Sequence, residues 1–317
     1  MTSPSDTPSL EVKDLSVTYR QFQALKSLNL SVKKGELIGI IGPNGAGKTS
    51  LIKALCGRVE STGLISIAGH TLKRGHDRRR RIGLVPQEIG LYPKLTAREN
   101  LDVMARLLGV TSKRRRENIN QALEAVGMEA RANSLVQDLS GGMKRRINVS
   151  AAIMHNPDLV IFDEPTAGVD IPARDELHKL ARHLAKQGKA VLLVTHELDQ
   201  AEALCDKILL LSQGQKLFYD TPSNILEQQF GGTRQVVLRF ERPPSSETLA
   251  ALRPFKFQAS ESMDIWTART HLNESNFMSD FTAALRDHTR FIREISVHRP
   301  GLTALMHHVE AHKGLIA

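Results

Sequence analysis

Residues 42–49 read GPNGAGKT and stand between an unbroken apolar run, ELIGIIG, and a stretch with helical spacing, SLIKALC. A glycine, four residues, then glycine, lysine and threonine at a strand-to-helix turn leaves few folds open. Its glycines let backbone N–H groups crowd round phosphate oxygens, and the N-terminus of the following helix adds positive potential. Lys48 is placed to reach β- and γ-phosphates and the Thr49 hydroxyl to bind Mg²⁺. A purely structural glycine turn explains neither side chain. The expectation is a parallel α/β core built around a bound nucleotide.

The rest of the chain agrees with that core. LEVKDLSVTY and ALKSLNLSVKKG alternate polar and apolar residues as half-buried antiparallel strands, and GLISIAG and RRIGLVPQ return to strand. From Lys94 to Ala152 apolar residues recur at three and four, which predicts a helical insert. DLVIFDEP, ARDELHKLARHLAKQG, AVLLVTH, ELDQAEALC and KILLLSQG then alternate strand and helix, the order of a doubly wound parallel sheet. At 317 residues the chain has room for one such domain and an appendage. From residue 231 the pattern reads strand, helix, strand, strand, helix, strand and a last helix, which suggests a small α+β domain of ferredoxin-like order. The expected division is a disordered start over 1–8, a nucleotide-binding domain over 9–230 and an accessory domain over 231–317.

Further site candidates lie at the carboxyl ends of strands, where ligands of doubly wound sheets gather. Asp163 ends LVIFD and can hold Mg²⁺ directly or through water. Glu164, next to it, faces the place of an attacking water, although both carboxylates could instead cap the helix after Pro165. Gln87 ends RIGLVPQ and completes the metal and water shell, unless it is an exposed turn residue. His196 ends AVLLVT on the same sheet edge, placed to bond a γ-phosphate and the attacking water; a structural histidine is the alternative.

Composition excludes other classes. No run approaches the roughly 18 apolar residues of a membrane span, and the polar start MTSPSDTPSLEVKD has no signal-peptide core, so a cytosolic protein is expected. The net charge of +9 is concentrated in Lys73–Arg81, six basic residues against Asp77, and in Lys113–Arg116. A solvated surface, anionic lipid headgroups or an acidic partner would suit these runs. No nucleic-acid partner is expected, since no aromatics that stack bases are interleaved. Cys56 and Cys205 read as buried free thiols.

The phosphate loop, Gln87, LSGG, DEPTAGVD and the final TH occur in the order seen in ATP-binding subunits of ABC transporters, and the chain resembles that family over residues 9–225. The resemblance implies a P-loop NTPase core with an antiparallel β subdomain and a helical subdomain over 88–155, the latter meeting a membrane subunit through Gln87 and EIGLYPKL. It implies ATP bound by Gly42, Pro43, Asn44, Gly45, Ala46, Gly47, Lys48, Thr49 and Ser50, with Tyr19 stacked on adenine or else an ordinary strand aromatic. Thr49, Gln87 and Asp163 would hold Mg²⁺. Glu164 resembles the catalytic base, assisted by His196 and Lys48, and Asp170 the residue that signals across a dimer. Two copies would pair head to tail, so that Leu139, Ser140, Gly141, Gly142 and Met143 cap the ATP held by the other copy, at a helix N-terminus suited to anions. Lys144 to Arg146 are assigned to the helix and its surroundings.

LSGGMKRR with DEPTAGVD and a C-terminal α/β appendage further resembles the ABC-2 type exporters of drugs, nodulation factors or polysaccharides. Their frequent ending PSLEDVF has only a loose match in RPGLTALMHHV, where Gly301 and Thr303 replace serine and glutamate. This implies two copies of an integral membrane permease of about six spans, with the chain peripheral on the cytoplasmic face of the plasma membrane. The cargo would be a lipid, glycan or hydrophobic small molecule. A non-transport ABC ATPase acting on nucleic acid or the ribosome is the alternative. Against it, no long coiled coil separates the phosphate loop from LSGG, and only one set of motifs is present.

Overall fold

The computed structural model describes residues 8–71, 76–260, 262–271, 277–286 and 291–311. Of the expected disordered start over 1–8, residues 1–7 lie outside them, as do Lys73 and Arg74 and the side chains of Asp77 and Arg79 in the first basic run. The chain divides into two compact units, Met1–Pro222 and Ser223–Ala317.

In the first unit β1 (Leu10–Tyr19) and β2 (Phe22–Val32) form an antiparallel hairpin. Alternation along β1 buries Leu10 and Val12, and an irregularity at Lys13–Asp14, where Asp14 has a positive φ, resets the period of two so that Leu15 and Val17 are buried as well. Then come β3 (Leu37–Ile41), α1 (Lys48–Leu55), β4 (Thr62–Ile67), β5 (His70–Thr71), α2 (His76–Arg81) and β6 (Ile82–Val85). RRIGLVPQ is thus strand only in its middle: α2 runs up to Arg81, and β6 stops before Pro86, which has no N–H for a ladder.

The helical insert holds α3 (Ala97–Leu107), α4 (Ser112–Glu124) and α5 (Gly141–Ile153). Thr96 and Glu99 cap the start of α3 reciprocally, Glu99 N–H donating to Thr96 Oγ1 and Thr96 N–H to Glu99 Oε2. The remaining elements are β7 (Leu159–Asp163), α6 (Ile171–Lys186), β8 (Ala190–Val194), α7 (Leu198–Leu204), β9 (Lys207–Ser212) and β10 (Gln215–Asp220).

One sheet has the order β2-β1-β4-β5 and is antiparallel; the other has the order β10-β9-β3-β8-β7-β6. In the second, β9, β3, β8, β7 and β6 are parallel, and β10 closes the edge antiparallel to β9. β3 and β8 are buried at every position, the mark of a parallel strand covered on both faces. Leu10, Leu25, Leu51, Leu55, Ile161, Leu192 and Leu209 belong to one core that joins the two sheets and α1. Each fully buried side chain of this size contributes roughly 1.5–3 kcal/mol. The topology aligns the carboxyl ends of β3, β8, β7 and β6 along one sheet edge, so four loops distant in sequence emerge side by side.

Burial pushes the thiol of Cys56 up to about 11 and that of Cys205 up to about 12. Both cysteines are free.

The second unit takes in almost all of α8 (Pro222–Phe230), then β11 (Thr233–Phe240), α9 (Ser246–Leu252), β12 (Gln258–Ala259), β13 (Ile265–His271), α10 (Phe277–Leu285), β14 (Ile292–His298) and α11 (Leu302–Ala311). Its sheet order β12-β13-β11-β14, antiparallel throughout, is the ferredoxin-like arrangement. Val236, Leu238 and Phe240 of β11 pack with Leu252, Phe281 and Leu285 in a core of its own.

Candidate functional site

The loop after β3 is held rigidly from below. Ala46 N–H donates to Pro43 O at 3.1 Å, Gly214 N–H to Ala46 O at 3.1 Å, and Lys26 N–H to Gly214 O at 2.9 Å. Pro43 and Ala46 are buried supports, whereas Asn44, Gly45 and Thr49 face outward and Gly42, Gly47, Lys48 and Ser50 are half-buried. A Cβ on Gly42 would lie 2.2 Å from Leu211 O, and one on Gly47 2.7 Å from Ala24 O, so close backbone packing demands both glycines. At Gly45 nothing comes within 4 Å, leaving the loop open to a ligand on that side. Gly47 also serves as the N-cap of α1 and supplies no side-chain cap. The first-turn N–H groups of α1 are therefore left for an anion.

Lys48 Nζ donates to the carbonyls of Gly42 and Pro43, the latter at 3.1 Å. Burial lowers its pKa, while Glu164 and Asp163 oppose that shift. Asp163, the last residue of β7, is raised chiefly by burial, then by Glu164, against the pull of Lys48. One cation and two carboxylates, all half-buried, thus act on one another.

Glu164 begins the turn after β7. Its Oε2 accepts from Gln87 Nε2 at 3.2 Å and lies 3.6 Å from His196 Nδ1. Two of the sequence candidates therefore converge on a carboxylate oxygen of a third. Gln87 and His196 stand just past β6 and β8, in the loops and not at the strand ends. Neither Asp163 nor Glu164 caps the next helix: Asp170 does, accepting from Ala173 N–H at 3.0 Å.

The sequence candidates for holding a cation would offer the Thr49 hydroxyl, the Gln87 amide and the Asp163 carboxylate. This is an oxygen set that suits Mg²⁺ completed by phosphate and water. No group of three His, Cys, Asp or Glu side chains forms a self-sufficient metal cage among the described residues.

Other candidates stand apart. Tyr19 ends β1 beside Phe22, and the two are 38% and 65% exposed. Ser140 is the N-cap of α5, its Oγ accepting from Met143 N–H at 3.3 Å, while Leu139 is buried beneath it. Among the described residues no hydrogen bond or ion pair joins Leu139–Met143 to the loop 42–50 of the same chain. Gly141 has nothing within 4 Å, but a Cβ on Gly142 would press on Ala173 at 2.9 Å, so Gly142 has a reason to be glycine inside its own chain.

Two features escaped the sequence reading. Arg145 is buried, and its phase with Asn148, Val149 and Ala152 on the inner face of α5 was the available signal. Glu197, next to His196, pairs with Arg174 at 3.1 Å and lies 3.8 Å from the buried His178, an arrangement that periodicity does not announce.

A family model described as ABC transporter matches residues 25–167. The linearmycin resistance ATP-binding protein LnrL of Bacillus subtilis (strain 168) is 37% identical over 226 residues, covering 71% of this chain and 73% of that protein. The Nod factor export ATP-binding protein I of Burkholderia orbicola (strain AU 1054) is 37% identical over 224 residues, 70% of this chain and 74% of that one. Among solved structures, a dimeric post-hydrolysis state of the ATP-binding cassette MJ0796, bound to ADP and Pi, aligns with a TM-score of 0.59 at 28% identity, over 67% of this chain and 98% of that one.

Proposed function

The chain belongs to the ATP-binding subunits of ABC transporters, which are ATPases, and from that premise we propose that two copies close head to tail around two ATP molecules. Each ATP lies between Gly42 to Ser50 of one copy and Leu139 to Met143 of the other, with Tyr19 against the adenine. Lys48 holds the β- and γ-phosphates, and Thr49, Gln87 and Asp163 hold Mg²⁺. Bound Mg²⁺ neutralises charge on the phosphates. Glu164 polarises the attacking water and accepts its proton, His196 bonds that water and the γ-phosphate, and Ser140 of the partner subunit donates to the γ-phosphate. Asp170 signals closure from one site to the other. Hydrolysis to ADP and phosphate removes the contact that holds the copies together, and the cycle of closing and opening drives a two-state membrane partner.

The observation that carries this reading is the convergence of Gln87 and His196 on Glu164 Oε2, beside Lys48 and Asp163. Pairing of two copies is supported by the dimeric cassette found among the solved structures. The names of the relatives favour export, with a lipid, glycan or hydrophobic small molecule as cargo. No described helix is long and apolar enough to cross a membrane. The relatives' names, ATP-binding proteins of a resistance and an export system, support a chain that works from the cytoplasmic face of the plasma membrane on two copies of a separate permease of about six spans.

Glu164→Gln should lower kcat by about 10² to 10⁴, the usual worth of a general base, and trap an ATP-bound dimer visible by size exclusion. Hydrolysis at the wild-type rate would remove Glu164 from its role.

A further inference from the structure

Arg145 is only 6% exposed. It donates to the carbonyl of Pro86 at 3.2 Å and to that of Ala167 at 3.2 Å. Pro86 immediately precedes Gln87, and Ala167 lies in the turn between Glu164 and Asp170. Burial lowers the Arg145 pKa, and among the described residues no acid pairs with it. A buried cation without a counter-ion is costly. A methionine of similar length would fill the space without that cost; what arginine adds is a planar fork that fixes two carbonyls at once.

Two further contacts lock the same region. The missing side chain of Gly142 lets α5 approach Ala173 in the first turn of α6, and Arg146 pairs with Glu176 at 2.6 Å. The start of α5, the Gln87 loop and the Asp170 turn therefore share one set of fasteners, with Arg145 at its centre.

We infer that Arg145 is a positioning residue that couples the two half-sites of one chain, tying the Ser140 end of α5 to the Gln87 loop and the Asp170 turn. This rests on the reading that Ser140 to Gly142 serve the other copy's nucleotide while Gln87 and Glu164 serve this chain's own. A rigid three-way tie makes displacement of α5, when it closes on the other nucleotide, move the groups around Glu164. A misplacement of about 1 Å in such groups costs on the order of 10² in rate.

The test uses the full chain with Arg145→Met or Arg145→Lys, each alone and combined with Gln87→Ala. ATPase kcat and KM, binding of a fluorescent ATP analogue and the thermal midpoint are measured on the same samples. Arg145→Met should lower kcat about tenfold or more while KM and analogue affinity stay within about threefold, the signature of lost positioning without lost binding. Arg145→Lys, which reaches one carbonyl at a time, should fall between. Each double variant should lose clearly less than the product of its single losses, because both changes act through one loop.

Multiplying losses, or a kcat for Arg145→Met within about twofold of wild type, would overturn the inference. So would loss of analogue binding in Arg145→Lys, which marks a fold defect instead of misplacement. If Arg145→Met does not fold, Arg145→Lys and its double variant decide by the same outcomes. Glu164→Gln run alongside separates the two ideas: wild-type turnover there removes the catalytic reading, whatever Arg145 does.

Discussion

Glu164 has a backbone φ of +46°, in the left-handed region that side chains avoid. Its N–H donates to Val194 O at 3.0 Å, so the neighbouring strand β8 holds it in that conformation. Strain of this kind costs of order 1–3 kcal/mol and clusters at functional sites. Glycine would adopt the same backbone freely. Glu164→Gly should accordingly leave the thermal midpoint unchanged or raised while ATPase activity collapses, and a clear drop in midpoint would show that the carboxylate serves folding. The residue type and its place after a buried strand were legible in LVIFDE. The strained turn was not, because it follows from the hydrogen bond to β8, a strand thirty positions away in the chain. Asp170 is the complementary case, since its side chain has a local task as the cap of α6 in addition to the proposed one between copies.

At the scale of elements, α6 carries a buried histidine whose surroundings set a pH dependence. His178 faces Glu197 at the start of α7, with Asp175 and Arg174 on its own helix, and burial is the main cause that lowers its pKa, ahead of the raising effect of Glu197. The folded state therefore holds the ring neutral where the unfolded chain would protonate it. Between the ordinary histidine value and the lower folded one the unfolded state binds more protons, so stability falls as pH falls through that window. Denaturant midpoints measured from about pH 8 to about pH 5 should decline in the wild type and decline less in His178→Gln. Identical slopes would exclude His178 as the source. The helix itself was readable from ARDELHKLARHLAKQG, whose apolar positions recur at helical spacing. What faces His178 was not readable, because Glu197 arrives from a loop that the sheet topology alone brings there.

For the whole molecule, the two units have separate hydrophobic cores, one around Leu51, Ile161 and Leu192, the other around Leu238, Phe281 and Leu285. A chain ending at Pro222 should thus keep its affinity for ATP within about threefold, as expected when a domain with its own core is cut at a boundary, yet lose recovery with its membrane partner. Pull-down of the permease at full yield by the truncated chain would show that the second unit is dispensable for assembly. The amino-acid order by itself determined the nucleotide loop, the parallel core, the helical insert and the βαββαβ order of the second unit. Each of these is written in local chemistry: glycine spacing, hydrophobic period and strand-ending carboxylates. Only the tertiary structure decided that Gln87, Glu164 and His196 meet at one oxygen, that Gly142 is pressed by Ala173, and that Arg145 spans two loops. Those contacts join residues 22 to 77 positions apart. They depend on strand order and helix packing, which side-chain periodicity along the chain does not encode.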